Sequence, residues 1–295
     1  MTYENVSAAI AQRAVYGCSD EVQLHGPWNW RFAIQNGTRL PIKAKFHEEF
    51  LHLACNPGVN HTSLDLLERA LLANNKLTGG AKISLANPSG TISLSADFAV
   101  LNDKQISDRL RAAIEGFHDG VCLLQSSGFQ TEPAGERPCV GGPDLEELLQ
   151  VSSWPTTHSG PNEFCVELNT ETGATAQIQQ TKNSVVAGVE FVHMAQISEI
   201  SRQALAVYLL TASSALRFVR AYAIESADRW SYGMQVGLAA VPEISEIDHA
   251  LSALAVAYRT CARESNVHLC EAAASCYLAA RNLSTKSDTQ LEKEN

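Results

Sequence analysis

Apolar and polar side chains alternate in the same order in both halves of this chain. In the first half Trp30, Phe32 and Ile34 alternate with Asn29, Arg31 and Gln35. In the second, Phe164, Val166 and Leu168 alternate with Glu163, Glu167 and Asn169. A period of two sends successive side chains to opposite faces, so each run is a strand with one buried face. Around each run the order is three alternating segments, a helix, two more alternating segments and a helix. Equivalent positions lie about 132 to 140 residues apart. Such a repeat turns a 295-residue chain into two domains of ordinary size and suggests an internal two-fold.

Local signals punctuate the first copy. Val6, Ile10 and Ala14 have helical spacing, and Asn36-Gly37 is a hairpin turn that supplies positive φ at both central positions. Leu40, Ile42, Ala44 and Phe46 alternate until His47-Glu48-Glu49 break the parity as a turn or bulge, and a strand runs from Phe50 to Cys55. Ser63 precedes Leu64, Leu67, Leu71 and Leu72 as an N-cap. A hairpin follows around Asn87 to Gly90, with Ile92, Leu94, Ala96 and Phe98 on one face, and Asp103 opens a helix. Gly and Pro then dominate residues 126 to 142 without periodicity, which reads as a linker. The order restarts with a short helix near Asp144 and closes on an Ala- and Leu-rich helix that breaks near Ser265-Asn266. The expected division is a first domain over 1–126, a linker over 127–142, a second domain over 143–283 and a disordered polar tail over 284–295. The fold class is α+β: two tandem α-βββ-α-ββ-α domains with antiparallel sheets, arranged as a pseudo-dimer.

Composition limits the function. The formal net charge of -10 argues against nucleic acid, which needs a concentrated basic surface. No stretch approaches the roughly 18 apolar residues of a membrane span. The N-terminus lacks the basic and apolar regions of a signal peptide, and the eight cysteines lack CxxC spacing, so they read as reduced thiols of a cytoplasmic protein.

Chemical signatures are weak. His47 and His52 are five apart in an extended segment and face opposite ways, so they do not form a zinc-protease box. Cys261, His268, Cys270 and Cys276 cluster in the closing helices, but cysteine in an Ala-rich helix reads as a packing residue. GxSxG, GxxxxGK[ST] and GxGxxG do not occur. No catalytic residue, cofactor or metal is assigned, and the chain is read as a non-enzyme. Trp28, Trp30 and Phe32 share one strand face that reads mostly as core under the helices, while Trp28 and Trp154 stand at strand entries beside Gly and Pro, where exposed rings mark partner contacts. Trp28, Trp30 and Trp154 are the candidate partner-binding residues.

The element order resembles that of the small acidic chaperones of type III secretion systems. The residues that carry the resemblance are Trp30-Arg31-Phe32-Ala33-Ile34-Gln35-Asn36-Gly37, the helix Leu64 to Leu72, Ile92 to Phe98 and the helix Asp103 to Leu124. The second copy runs over Phe164 to Phe191, Ala204 to Leu210, Trp230 to Leu238 and Ile247 to Ala262. Members of that family are single domains that homodimerise, so a tandem copy looks like a covalent version of their dimer. The resemblance implies a chaperone or adaptor that binds an extended or unfolded segment of a partner protein. The alternative is a small-ligand sensor or enzyme with a site where the repeats meet. A third reading is a module whose partner is itself, as a homodimer.

Overall fold

A computed structural model describes residues 3–36, 38–59, 63–86, 90–100, 103–125, 145–168, 171, 173–181, 184–239 and 242–283. The expected linker and tail lie outside these residues. The chain is α+β, with seven helices and two six-stranded antiparallel sheets among the described residues.

The first half runs α1 (Tyr3–Tyr16), β1 (Gln23–Leu24), β2 (Asn29–Asn36), β3 (Thr38–His47), β4 (Phe50–Cys55), α2 (Leu64–Asn74), β5 (Lys82–Leu85), β6 (Ile92–Ala99) and α3 (Asp103–Gln125). The second runs α4 (Leu145–Val151), β7 (Thr156–Gly160), β8 (Glu163–Glu167), β9 (Thr175–Gln180), β10 (Ser184–Met194), α5 (Glu199–Ala215), β11 (Arg220–Ser226), β12 (Arg229–Ala239), α6 (Ile244–Val267) and α7 (Glu271–Ala280). Sheet one has the order β1-β2-β3-β4-β6-β5, and sheet two, counted from its own first strand, has the same order, β7-β8-β9-β10-β12-β11.

Each half therefore carries one strand more than the expected α-βββ-α-ββ-α order. The extra strands, β1 and β7, are short, and neither has an alternating apolar face. Each is folded back by a Gly-Pro turn, Gly26-Pro27-Trp28-Asn29 and Gly160-Pro161-Asn162-Glu163. Pro presets the first central residue of a type II turn, and the second must take positive φ. Trp28 has φ 56° and Asn162 has φ 59°. Their carbonyls accept equivalent bonds, from Phe46 N at 2.9 Å and Gln180 N at 3.1 Å.

The core follows the alternation. Trp30, Phe32, Leu40, Ile42, Ala44 and Phe46 are buried under α1 and α3, while Arg31, Lys43 and Lys45 face out. In sheet two Phe164, Val166, Ala176, Ile178, Val185 and Ala187 are buried, with α6 packed on β10 and β12 and α4 on α6. Ser63 caps α2 as expected, its hydroxyl accepting from Leu66 N at 3.2 Å. The closing helix breaks after Val267, and α7 packs back on α5.

The parity break at His47 is a two-residue hairpin turn. His47 stands opposite Phe50, and Glu48 and Glu49 have φ 51° and 67°. Two positive φ values mark a primed turn, where Asn-Gly is favoured over Glu-Glu. The surface contact of Glu48 with Arg217, at 3.7 Å and half exposed, contributes little. Glu48→Asn with Glu49→Gly should raise stability by about 1 kcal/mol. A urea-denaturation midpoint that fails to rise would show that the Glu-Glu turn is unstrained.

Candidate functional site

The two halves meet through equivalent elements. Helix α2 lies against α5; α2 also packs on β11 while α5 packs on β5; and β5 runs beside β11 with no ladder between them. The inner ends of both sheets are consequently buried on both faces. All four residues of β5 are buried, as are Arg220 to Ala223 of β11 and Ser231 to Val236 of β12.

Polar residues buried there satisfy backbone of the opposite half. The last carbonyls of a helix have no partner within it. At the end of α5, Lys82 Nζ donates to Ser213 O at 3.0 Å and to Leu216 O. At the end of α2, Gln235 Nε2 donates to Asn74 O at 3.2 Å. Arg220 donates through one terminal nitrogen to Ala81 O at 3.0 Å. At the rim, Arg202 meets Glu68 at 3.3 Å and Arg109 meets Glu246 at 2.6 Å. Phe218, held at φ 63°, stacks edge-on against Phe50 at 5.4 Å.

Strand register makes Lys82 and Arg220 equivalent, since Lys82 pairs with Ser95 and Arg220 with Gln235. Two residues further along these partner strands stand Asp97 and Gly237. In sheet one the cation has a counter-charge: Lys82 lies 3.6 Å from Asp97, which also binds His52 Nδ1 at 2.8 Å. Burial lowers the Lys82 amine from its usual value, and Asp97 only partly offsets this. Burial works to raise the Asp97 carboxyl, but the His52 hydrogen bond and the charges of Lys82, His52 and Arg217 outweigh it and hold the group below the usual carboxylate range.

In sheet two the same position has no acid. The Arg220 guanidinium packs against Gly237, where an added Cβ would sit 3.6 Å from its nearest nitrogen. Arg220 Nε has no hydrogen-bond partner among the described residues, and burial lowers the guanidinium to about 10.

The three tryptophans fall in different environments. Trp28 is 36% exposed at the Gly-Pro turn, its ring 6.4 Å from that of Trp30. Trp154 is half-buried against the core before β7. Trp30 is 1% exposed, because its parity on β2 turns the ring under the helices, so it offers no surface to a partner. Cys261 and His268 do come together, around Tyr208, whose ring lies 5.1 Å from His268. Among the described residues no group of three or more His, Cys, Asp or Glu side chains is placed to hold a metal ion. No described helix is long and apolar enough to cross a membrane. A narrow seam between α4, α6 and sheet two is lined by apolar side chains only, among them Leu145, Ile178, Val185 and Leu251.

Sequence reasoning passed over Lys82, Asp97, Arg220 and Gln235. The repeated Gly-Pro pair at 26–27 and 160–161, which fixes the alignment of the halves, was the signal that could have matched them. Comparison of the sequence with protein-family models and with curated proteins returns no match.

Two substitutions test the contrast between the cations. Asp97→Asn leaves the buried Lys82 without its counter-charge and should cost about 3 kcal/mol at neutral pH. Because the folded carboxyl lies below its unfolded value of roughly 4, its contribution is complete above that pH and is lost as pH falls through the folded value, so Asp97→Asn should flatten the acid limb of a stability profile. Gly237→Asp should supply the missing carboxylate and raise stability by about 1 kcal/mol. A lower denaturation midpoint in Gly237→Asp would mean that Arg220 is already satisfied.

Proposed function

We propose that the chain is a non-enzymatic cytosolic chaperone or adaptor, built as a pseudo-dimer of two chaperone-like domains, that binds an extended segment of a partner protein. The observation that carries this reading is the contrast between the edges of each sheet. The inner edges, β5 and β11, are sealed by the opposite half. Among the described residues the outer edges, β1 and β7, pair with no further strand. An open edge presents a row of backbone donors and acceptors, which an extended peptide can complete with little demand on its sequence.

Reciprocal packing of α2 on β11 and of α5 on β5 supports the pseudo-dimer, since a two-fold relation pairs each contact with its counterpart. The resemblance to type III secretion chaperones supports the class of partner. Among the described residues Cys18, Cys55, Cys165, Cys261, Cys270 and Cys276 are thiols outside any disulfide, in keeping with a reducing compartment.

Strand β7 is the longer open edge. Glu167 N donates to Pro155 O at 2.9 Å, and Thr157 stands opposite Cys165. Ladder bonds alternate along an antiparallel pair, so the N–H of His158 points away from β8. His158→Pro therefore removes an outward donor without breaking the β7–β8 ladder. The expected result is that the wild-type protein binds a permanently unfolded, carboxymethylated polypeptide, measured by fluorescence anisotropy, and that His158→Pro weakens binding tenfold or more with an unchanged circular dichroism spectrum. Absence of binding by the wild type would overturn the proposal.

A further inference from the structure

The open faces of the two sheets carry opposite charge, and we infer that they dock on each other between molecules, the sheet-one face of one copy on the sheet-two face of the next. The inference stands apart from the edge-binding proposal and uses different residues.

On sheet one Arg31, Lys43 and Lys45 are exposed on the face away from α1 and α3. Arg31 stands directly opposite Lys43, and Lys45 lies two residues along the same strand, between Asn29 and His52. Like charges directly opposite each other destabilise a sheet. The neighbouring acids are already engaged: Asp97 by His52 and Lys82, and Glu21 by Arg39 at 2.9 Å. In a chain of net charge -10, three adjacent cations with no counter-ion among the described residues are an exception that local structure does not explain.

Sheet two inverts the pattern. Its equivalents of Arg31, Lys43 and Lys45 are Cys165, Gln177 and Gln179, which the aligned ladders place at the same crossings. Strands β8, β9 and β10 contain no Lys or Arg. Their open face instead exposes Glu163, Glu167 and Glu190. Glu163 accepts a neutral bond from Gln179 at 3.2 Å, and Glu190 meets His193 at 3.4 Å.

A second copy is therefore the occupant whose complementary surface is already present. Packed sheets lie about 10 Å apart, a gap that Lys and Glu side chains span end to end. Three strands of this length present on the order of 400 Å² per partner, which suits a weak, reversible contact. The two faces are different patches, so the contact is heterologous and extends head to tail. Repulsion between two acidic molecules is screened beyond about 8 Å at physiological salt, where short-range pairs survive, and the pairs themselves weaken near 1 M. Nucleic acid fits poorly, since three cations neutralise few phosphates and the rest of the molecule repels the polymer.

Sedimentation velocity on the full chain tests this. The wild type should show a weight-average mass that rises with concentration at physiological salt and returns to the monomer value in high salt. Lys43→Glu with Lys45→Glu makes both faces predominantly acidic, with Arg31 retained, and Glu163→Lys with Glu167→Lys makes both predominantly basic, with Glu190 retained. Each variant alone should stay monomeric, and an equimolar mixture should associate into alternating assemblies of 1:1 stoichiometry. These are surface positions, and circular dichroism confirms folding before mixing. A wild type that remains monomeric at its solubility limit, a mixture that does not associate, or either variant self-associating as the wild type does would overturn the inference. So would a monomeric wild type that binds a polyglutamate peptide or a single-stranded oligonucleotide through Lys43 and Lys45.

Discussion

Each central helix of this protein ends on a donor supplied by the opposite half. The carbonyl end of α5 rests on Lys82, that of α2 on Gln235, and the Ala81 carbonyl beyond α2 on Arg220. Helix ends buried without partners would cost several unmade hydrogen bonds. Burial of the inner sheet ends on both faces is tolerable only because these long polar side chains reach across. The junction thus consists of mutual backbone satisfaction as well as apolar packing, and the inner strands of one half depend on the presence of the other.

Glycine sets how closely this can happen. At Gly233 an added Cβ would lie 2.3 Å from Val189 O and 2.9 Å from the Tyr222 ring, so Tyr222 lies flat on sheet two only because that position is bare. Its counterpart in sheet one is Ser84, which meets Ser93 at 3.2 Å. The same architecture is filled once by a hydroxyl pair and once by an aromatic ring over glycine.

Strands, helices and their burial were legible where one face of an element meets water. Alternation over Leu40 to Phe46 assigned the core correctly, and Ser63 marked the start of α2. Strands β1 and β7 were not legible, because Gln23-Leu24 is too short to alternate and Thr156 to Gly160 has no apolar face. The junction charges were hidden for another reason. Lys82, Asp97, Arg220 and Gln235 occupy the polar side of alternating strands, which a sequence reads as solvent-facing. They are buried because a helix from more than a hundred residues away covers that side, and no local pattern encodes the cover. The aromatic expectation failed at Trp30 by parity: the ring has the phase of Phe32, which the core claims.

In an assembly of identical subunits every substitution enters both sides of the axis at once. Asp97 and Gly237 show what a single chain permits instead. Here an acid stands beside one buried cation while its counterpart is left bare, and a basic sheet can coexist with an acidic one. Each residue of the junction is an independent choice, so the two open edges are free to diverge from one another in shape and charge.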